Sequence, residues 1–387
     1  MLQNFIHICW SFVTITILGF IFLVNESSAQ SFAIKPRFEY AGQFSEGVAF
    51  VREGGRAFYI DKSGKPVTKP LNYDSYYEFS NGLARVTKGG KWGFIDKSTN
   101  LVIPFRFGTA QDFKEDRAVV SFDSPDLHRL FMGTRNVGVI NKAGQFVMNP
   151  YLNSINDFNE EHAVANFGAL GDPTVGLIGK GGEIVLRPRF EFLTDFSNGL
   201  AAALTHKGSW GLLRTSGHWA IEPKFDSLGR LKDGLAIFGD CGGKVSRPYE
   251  FKVPIHCKFG FIDSSGKVLI PAQFTSAEPF FDDRAAVSFS PRNAQSAFVA
   301  DPEMSFGYID RTGLLVIDAV YKEVKPFSEG VAAVKKSLGA GKRDRWGYID
   351  KNGRPLTKFE FLDADSVSEG LARVWTSEGY GYLSLKH

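Results

Sequence analysis

The feature that most limits what this chain can fold into is a nine-fold recurrence of a large apolar residue followed five positions later by Ala. The anchors are Phe44, Phe79, Phe113, Phe158, Phe196, Leu231, Phe280, Phe327 and Val367, and their alanines run from Ala49 and Ala84 to Ala332 and Ala372. Six positions before each anchor stands another large apolar residue, among them Phe38, Phe107, Phe190, Phe274 and Phe361. After the Ala comes a Trp-Gly pair (Trp92-Gly93, Trp210-Gly211, Trp346-Gly347) or a variant such as Phe259-Gly260 or Val137-Gly138, with Ala57-Phe58 in the first unit. From the Trp position to the next unit's first aromatic the count is 15 in seven intervals and 16 in one, whereas from Ala to the Trp position it ranges from 8 to 23. Insertions therefore fall in a single loop of a unit whose minimal period is 34 residues. A fixed period of this length implies stacked copies of one supersecondary unit, because a single copy cannot bury its own aromatics.

Two turn signatures define the unit. The first, Asn81-Gly82, Asn198-Gly199 or Asp233-Gly234, is a hairpin signal because both central residues need positive φ. The second, as in Asp61-Lys-Ser-Gly64 and Asp350-Lys-Asn-Gly353, reads as a three-residue hairpin opened by Asp and closed by Gly in the left-handed region. Between them Leu83-Ala84-Arg85-Val86 alternates as a half-buried strand does, and the constant Ala implies close approach of a neighbouring unit. With 41 Gly and 36 Phe in 387 residues, the chain reads as all-β, about nine units of three or four short antiparallel strands. The favoured architecture is an open β superhelix or solenoid. The alternative is a propeller-like closed ring, because Phe32 to Phe38 matches the end of a unit and the last unit stops soon after Tyr380-Gly381.

Residues 5–24 are uncharged and mostly apolar, so residues 1–29 read as a signal peptide cut after Ala29, or as an uncleaved anchor, and residues 30–387 as the repeat domain. Either way the repeat domain is expected to be extracytoplasmic: periplasmic, secreted or at the cell surface. Cys241 and Cys257 then remain, and one disulfide is their simplest state. Free thiols are an alternative. A metal site with His256 is another, of poor geometry since two of its three ligands would be adjacent. The 45 Lys and Arg against 42 Asp and Glu give a net charge of +3, which argues against a dedicated nucleic-acid binder. Membrane contact is expected only if the N-terminal segment is uncleaved.

Phe79-Ser-Asn-Gly-Leu-Ala-Arg-Val86 with Lys91-Trp-Gly-Phe-Ile-Asp-Lys97 and Leu101-Val-Ile-Pro104 resembles the WG-repeat (KWG) family, and the likeness runs from about Ser31 to Leu383. Unit 4 departs most, with Leu152, Val175 and Gly179 at family positions. The resemblance implies a bacterial β-repeat protein and brings no activity or site residues with it.

No catalytic motif emerges, and no cofactor or metal site is expected. The recurring Asp of Ile-Asp-Lys suits turn formation better than a calcium ladder, and Gly260 to Lys267 is a repeat turn, one residue too long for a phosphate loop. Regular stacking would bring the long loops out on one side, where repeat proteins bind. Candidate binding residues there are Tyr249, Phe251 and His256 between the cysteines, and Lys342, Arg343 and Arg345 in unit 8. Arg117 and Arg284, from Asp-Arg-Ala in units 3 and 7, are further candidates, read first as structural caps for the long loops of those units. The function expected is a non-enzymatic scaffold for a protein, glycan or cell-envelope polymer. The alternatives are an extracytoplasmic hydrolase with its site among the long loops, where a carboxylate pair would be needed, and a purely structural envelope component.

Overall fold

The computed structural model describes residues 31–122, 137–168, 174–246, 252–289 and 305–385, with 243–246 and 252–256 by backbone alone. The proposed signal segment lies outside the described residues. Every regular element described is a strand, and the strands form nine small antiparallel sheets, the blades of a ring. The second blade is typical: Ser75–Ser80, Leu83–Lys88, Lys91–Ile95 and Leu101–Phe107 pair in chain order. In blades 1 and 8 the fourth strand shrinks to isolated bridges such as Ala57↔Leu71 and Trp346↔Phe361.

Local chemistry fixes each blade. The two central residues of every Asn-Gly-type turn have positive φ, including non-glycines such as Glu115 (48°) and Asp116 (63°). In the second turn the Asp carboxylate accepts the backbone N–H groups two and four residues on, as from Ser63 (2.9 Å) and Lys65 (3.0 Å) to Asp61. Hydrogen bonds from Ser63 and Lys65 hold the exposed Asp61 carboxyl below the usual range, and its role is the turn. The Gly of Trp-Gly answers a close approach: a Cβ on Gly93 would lie 2.7 Å from the Ile103 carbonyl oxygen. There the ladder pairs Trp92 with Phe107 but Phe94 with Ile103, so the fourth strand bulges, and Pro104 sits inside the bulge where no ladder donor is needed.

No blade has a core of its own. The apolar residues gather into nine clusters, each shared by two successive blades: Phe94, Ile103 and Phe107 of the second blade meet Phe113, Ala118 and Val120 of the third. Here the constant Ala finds its reason. All nine are at most 2% exposed, wedged where the preceding blade closes in. At five joints the third-strand aromatic packs on the next blade's anchor at 4.8–5.0 Å between ring centroids: Tyr59 on Phe79, Phe94 on Phe113, Phe261 on Phe280, Tyr308 on Phe327 and Tyr382 on Phe44.

That last pair joins the ninth blade to the first. Ser31–Phe38 pairs with Gly379–Ser384 and supplies the ninth blade's fourth strand. The Tyr382 hydroxyl donates to the Gly42 carbonyl (2.6 Å) and the Ser368 hydroxyl to the Phe44 carbonyl (2.8 Å). The first-to-second joint has the same bonds, from Tyr59 to Tyr77 (2.6 Å) and Ser45 to Phe79 (2.7 Å). The closing joint thus repeats an internal one, and of the two architectures expected from sequence the chain adopts the closed ring, not the favoured open superhelix. An open array would leave the Ser31–Phe38 strand without its partner and the Phe44 cluster half uncovered.

If the closing joint is equivalent to the internal ones, Phe44→Ala and Phe79→Ala should each destabilise by about 3–5 kcal/mol, read from urea denaturation midpoints. A cost for Phe44→Ala less than half that for Phe79→Ala would show that the ring is not held shut in solution.

Candidate functional site

The two ends of the ring differ chemically. In each blade the first and third connections are tight turns at one end, and the second connection lies at the other. At the turn end the side chain that opens the Asn-Gly-type turn reaches the next blade's turn in most blades: Glu46 accepts from Gly82 N (3.1 Å), Asn81 from Asp116 N (2.8 Å), Glu329 from Gly370 N (2.9 Å) and Glu369 from Gly47 N (3.0 Å). Lysines that follow the Asp of the second turns reach back, Lys97 to Glu46 (3.3 Å) and Lys62 to Glu369 (3.1 Å). Burial opposes ionisation of Glu369, but the bonds from Lys62 and Gly47 N–H outweigh it and hold the carboxyl below its usual range.

Arg117 and Arg284 belong to this stitching. Arg117 Nε donates to the Lys180 carbonyl (2.8 Å) and Arg284 Nε to the Lys351 carbonyl (3.1 Å), each clamping the second turn of the next blade. They lie at the turn end, opposite the feet of the long second connections of their own blades, and residues 123–136 and 290–304 of those connections lie outside the described residues. The sequence alignment exposes their shared offset but not which part of the neighbouring blade a long side chain will meet.

All the insertions are second connections and emerge together at the other end. In blade 6 the ladder is extended, Leu235–Ser246 against Lys252–Asp263, and Cys241 faces Cys257 with their sulfurs bonded at 2.04 Å. Tyr249 and Phe251 lie outside the described residues, and His256 is described by backbone alone, within the ladder. Lys342 and Arg343 are exposed in the eight-residue connection of blade 8, and Arg345 opens its third strand opposite Lys336. The same end carries aromatics 40–50% exposed: Tyr40 and Phe192 in first strands, and Phe122, Phe289 and Trp375 at or near the ends of second strands. The described candidates therefore divide between the two ends of the ring, Arg117 and Arg284 at the turn end and Lys342, Arg343 and Arg345 at the other.

A different group does converge. Arg85, Gln111, Asp112, Asn156, Asp157 and Asp195, from four successive blades, line one depression of about 350 Å³. Such convergence places it on the concave, inner side of the ring. Arg85 lies over the Tyr77 ring (4.1 Å) and beside Asp112 (2.8 Å), close but not aligned as a hydrogen bond. Asn156 Nδ2 donates to Asp195 (2.8 Å). Burial pushes the Asp157 carboxyl up; Lys114 opposes this, and the neighbouring charges of Asp112 and Asp195 reinforce it. The signal was present in the sequence: the residue just before the anchor is acidic in units 2 to 5 (Glu78, Asp112, Asp157, Asp195). Among the described residues no group of three His, Cys, Asp or Glu is placed to hold a metal ion.

A carboxyl whose folded pKa is raised contributes stability that is present below the ordinary Asp range and lost as pH rises through the folded value. Asp157→Asn should therefore melt higher than the parent at pH 7 and equal to it at pH 3. Equal melting at both pH values would show that Asp157 ionises without strain.

The WG-containing repeat family model matches residues 30–56, 58–92, 92–124, 176–205, 210–244, 259–289, 306–337 and 346–374, and the longest gap takes in much of unit 4, the unit that departs most. No curated protein matches the chain. Among solved structures, a eukaryotic initiation factor is similar at 11% identity and a TM-score of 0.53, over 83% of this chain and 87% of that one. The computationally designed Ika8 protein gives 13% identity and 0.41 over 80% and 95%, and BamB from Moraxella catarrhalis 11% and 0.33 over 65% and 81%. At these identities the initiation factor is like this chain in fold alone, and the two lower scores carry no weight. With eight matched segments spanning more than half of its length, the chain belongs to the WG-repeat family.

Proposed function

We propose that the protein is an exported, non-catalytic scaffold that binds a cell-envelope protein, glycan or polymer through the insertion-bearing end of its ring. The observation that carries this reading is the contrast between the two ends. At the turn end the polar side chains are largely engaged in joining blade to blade. At the other end the ring keeps extra ladder, insertions and half-exposed aromatics that the blade joints do not require. Exposed aromatic groups beside variable loops on a rigid frame suit recognition. Export is supported by the apolar residues 5–24 and by a disulfide in an insertion, a bond that persists in oxidising compartments.

The test is a pull-down from envelope and extracellular fractions, with the parent beside a variant whose second connections are all cut to the shortest natural spacing. A partner held by the parent and released by the variant is the expected result. A partner that survives the shortening, or none at all, overturns the reading.

A further inference from the structure

Blade 8 concentrates positive charge at the insertion end. Lys335 and Lys336 end its second strand, Arg345 begins its third, and Lys342 and Arg343 stand exposed between them. Lys325 Nζ and Lys335 Nζ lie 5.6 and 5.8 Å from the Trp346 ring centre, and Lys336 Nζ lies 5.7 Å from that of Phe359. Among the described residues, the ion pair made by these six cations is that of Lys335 with Glu323, at 2.6 Å. An aromatic face steadies an ammonium without consuming its N–H donors, so Lys325 and Lys336 remain able to bond an anion. In a chain of net charge +3 this is a local excess: six cations stand with two carboxylates, Glu323 and Asp344, and like charges held together in this way favour an anionic partner.

The neighbouring blades specify the partner further. Trp375 of blade 9 stacks on Tyr380 (5.8 Å, 13°), and Tyr40 of blade 1 leans on the same ring (6.2 Å). Trp375 and Tyr40 are 42% and 43% exposed. Flat amphipathic rings of this kind suit the apolar faces of sugar rings. A lipid surface fits less well, because the blade 8 connection offers one exposed large apolar side chain, Leu338. We infer that blades 8, 9 and 1 form a binding site for an acidic polysaccharide, with Lys336, Lys342, Arg343 and Arg345 pairing its carboxylate or sulfate groups and Trp375 and Tyr40 stacking on its sugar rings. This inference rests on the scaffold reading and narrows it to one class of ligand.

The experiment measures binding of the full chain to polygalacturonate, with dextran, phosphatidylglycerol vesicles and duplex DNA as comparisons. Polygalacturonate should bind and weaken as salt rises, and dextran should not bind. The triple variant Lys336→Gln, Lys342→Gln, Arg343→Gln should lose about tenfold or more in affinity while melting like the parent, since each lost charge removes counterion release. Trp375→Ala should weaken binding by a factor that salt does not change. No binding, undiminished binding by the triple variant, or tighter binding to vesicles or DNA overturns the inference. If polygalacturonate fails but the envelope partner is still released on shortening the connections, the polysaccharide site falls and the scaffold stands. If the partner survives shortening while the triple variant still loses polygalacturonate, the scaffold reading falls and the charged site stands.

Discussion

The contact of a third-strand aromatic with the anchor of the next blade is the interaction on which the rest of this ring depends. Such a pair contributes about 0.5–1.5 kcal/mol beyond the area it buries, but its larger effect is geometric. It fixes the distance at which two sheets meet, and that distance dictates an Ala where the sheets are closest, a Gly where the third strand presses on the fourth, and a bulge beside it. Where the aromatic is Tyr, its hydroxyl also reaches the next blade's backbone, as Tyr59, Tyr308, Tyr348 and Tyr382 do. Blades 3 to 5 place Val139, Leu177 and Leu212 there instead, so that an aliphatic side chain shares a cluster with the anchors Phe158, Phe196 and Leu231.

Because each cluster belongs to two blades, stability is a property of joints and not of units. A ring of nine blades has nine joints, whereas an open array of nine would have eight and two uncovered faces. Polar chemistry follows the same rule. The side chain that opens one turn accepts from the N–H of the next, and each surface pair with lysine adds little alone, yet repetition around the turn end gives most joints the same small set of bonds. Departures are absorbed locally: Thr99 takes the left-handed position (φ 67°) that Gly occupies in most other units.

Much of the fold was legible because its causes are local or periodic. Asn81-Gly82 announces a turn through its own backbone, and Ala84 or Gly93 announces a close approach by recurring at one offset. What could not be read was the rotation from one blade to the next. That rotation accumulates from side-chain contacts such as Tyr382 on Phe44, and a small change per joint separates a helix from a ring. The inner depression was hidden for a related reason: Asp112, Asp157 and Asp195 share an offset in sequence, but only a closed ring turns that offset toward one concave wall. Arg117 and Arg284 were singled out by pattern, yet their partners, the Lys180 and Lys351 carbonyls, are more than sixty positions away.

The closing strand also imposes an order on how the ring is made. Ser31–Phe38 is the first part of the ring to be synthesised, and its partner Gly379–Ser384 is the last. Each other blade can complete its sheet as its own residues emerge, while this one must bring together ends of the chain separated by nearly the whole sequence, which is slow. Until then the chain carries two open rims, the unpaired edge of Gly379–Ser384 and the uncovered Phe44 cluster, and an unpaired edge invites a strand from another molecule. Ring closure is therefore the step at which this protein is most exposed to exchanging its first strand with a neighbouring copy.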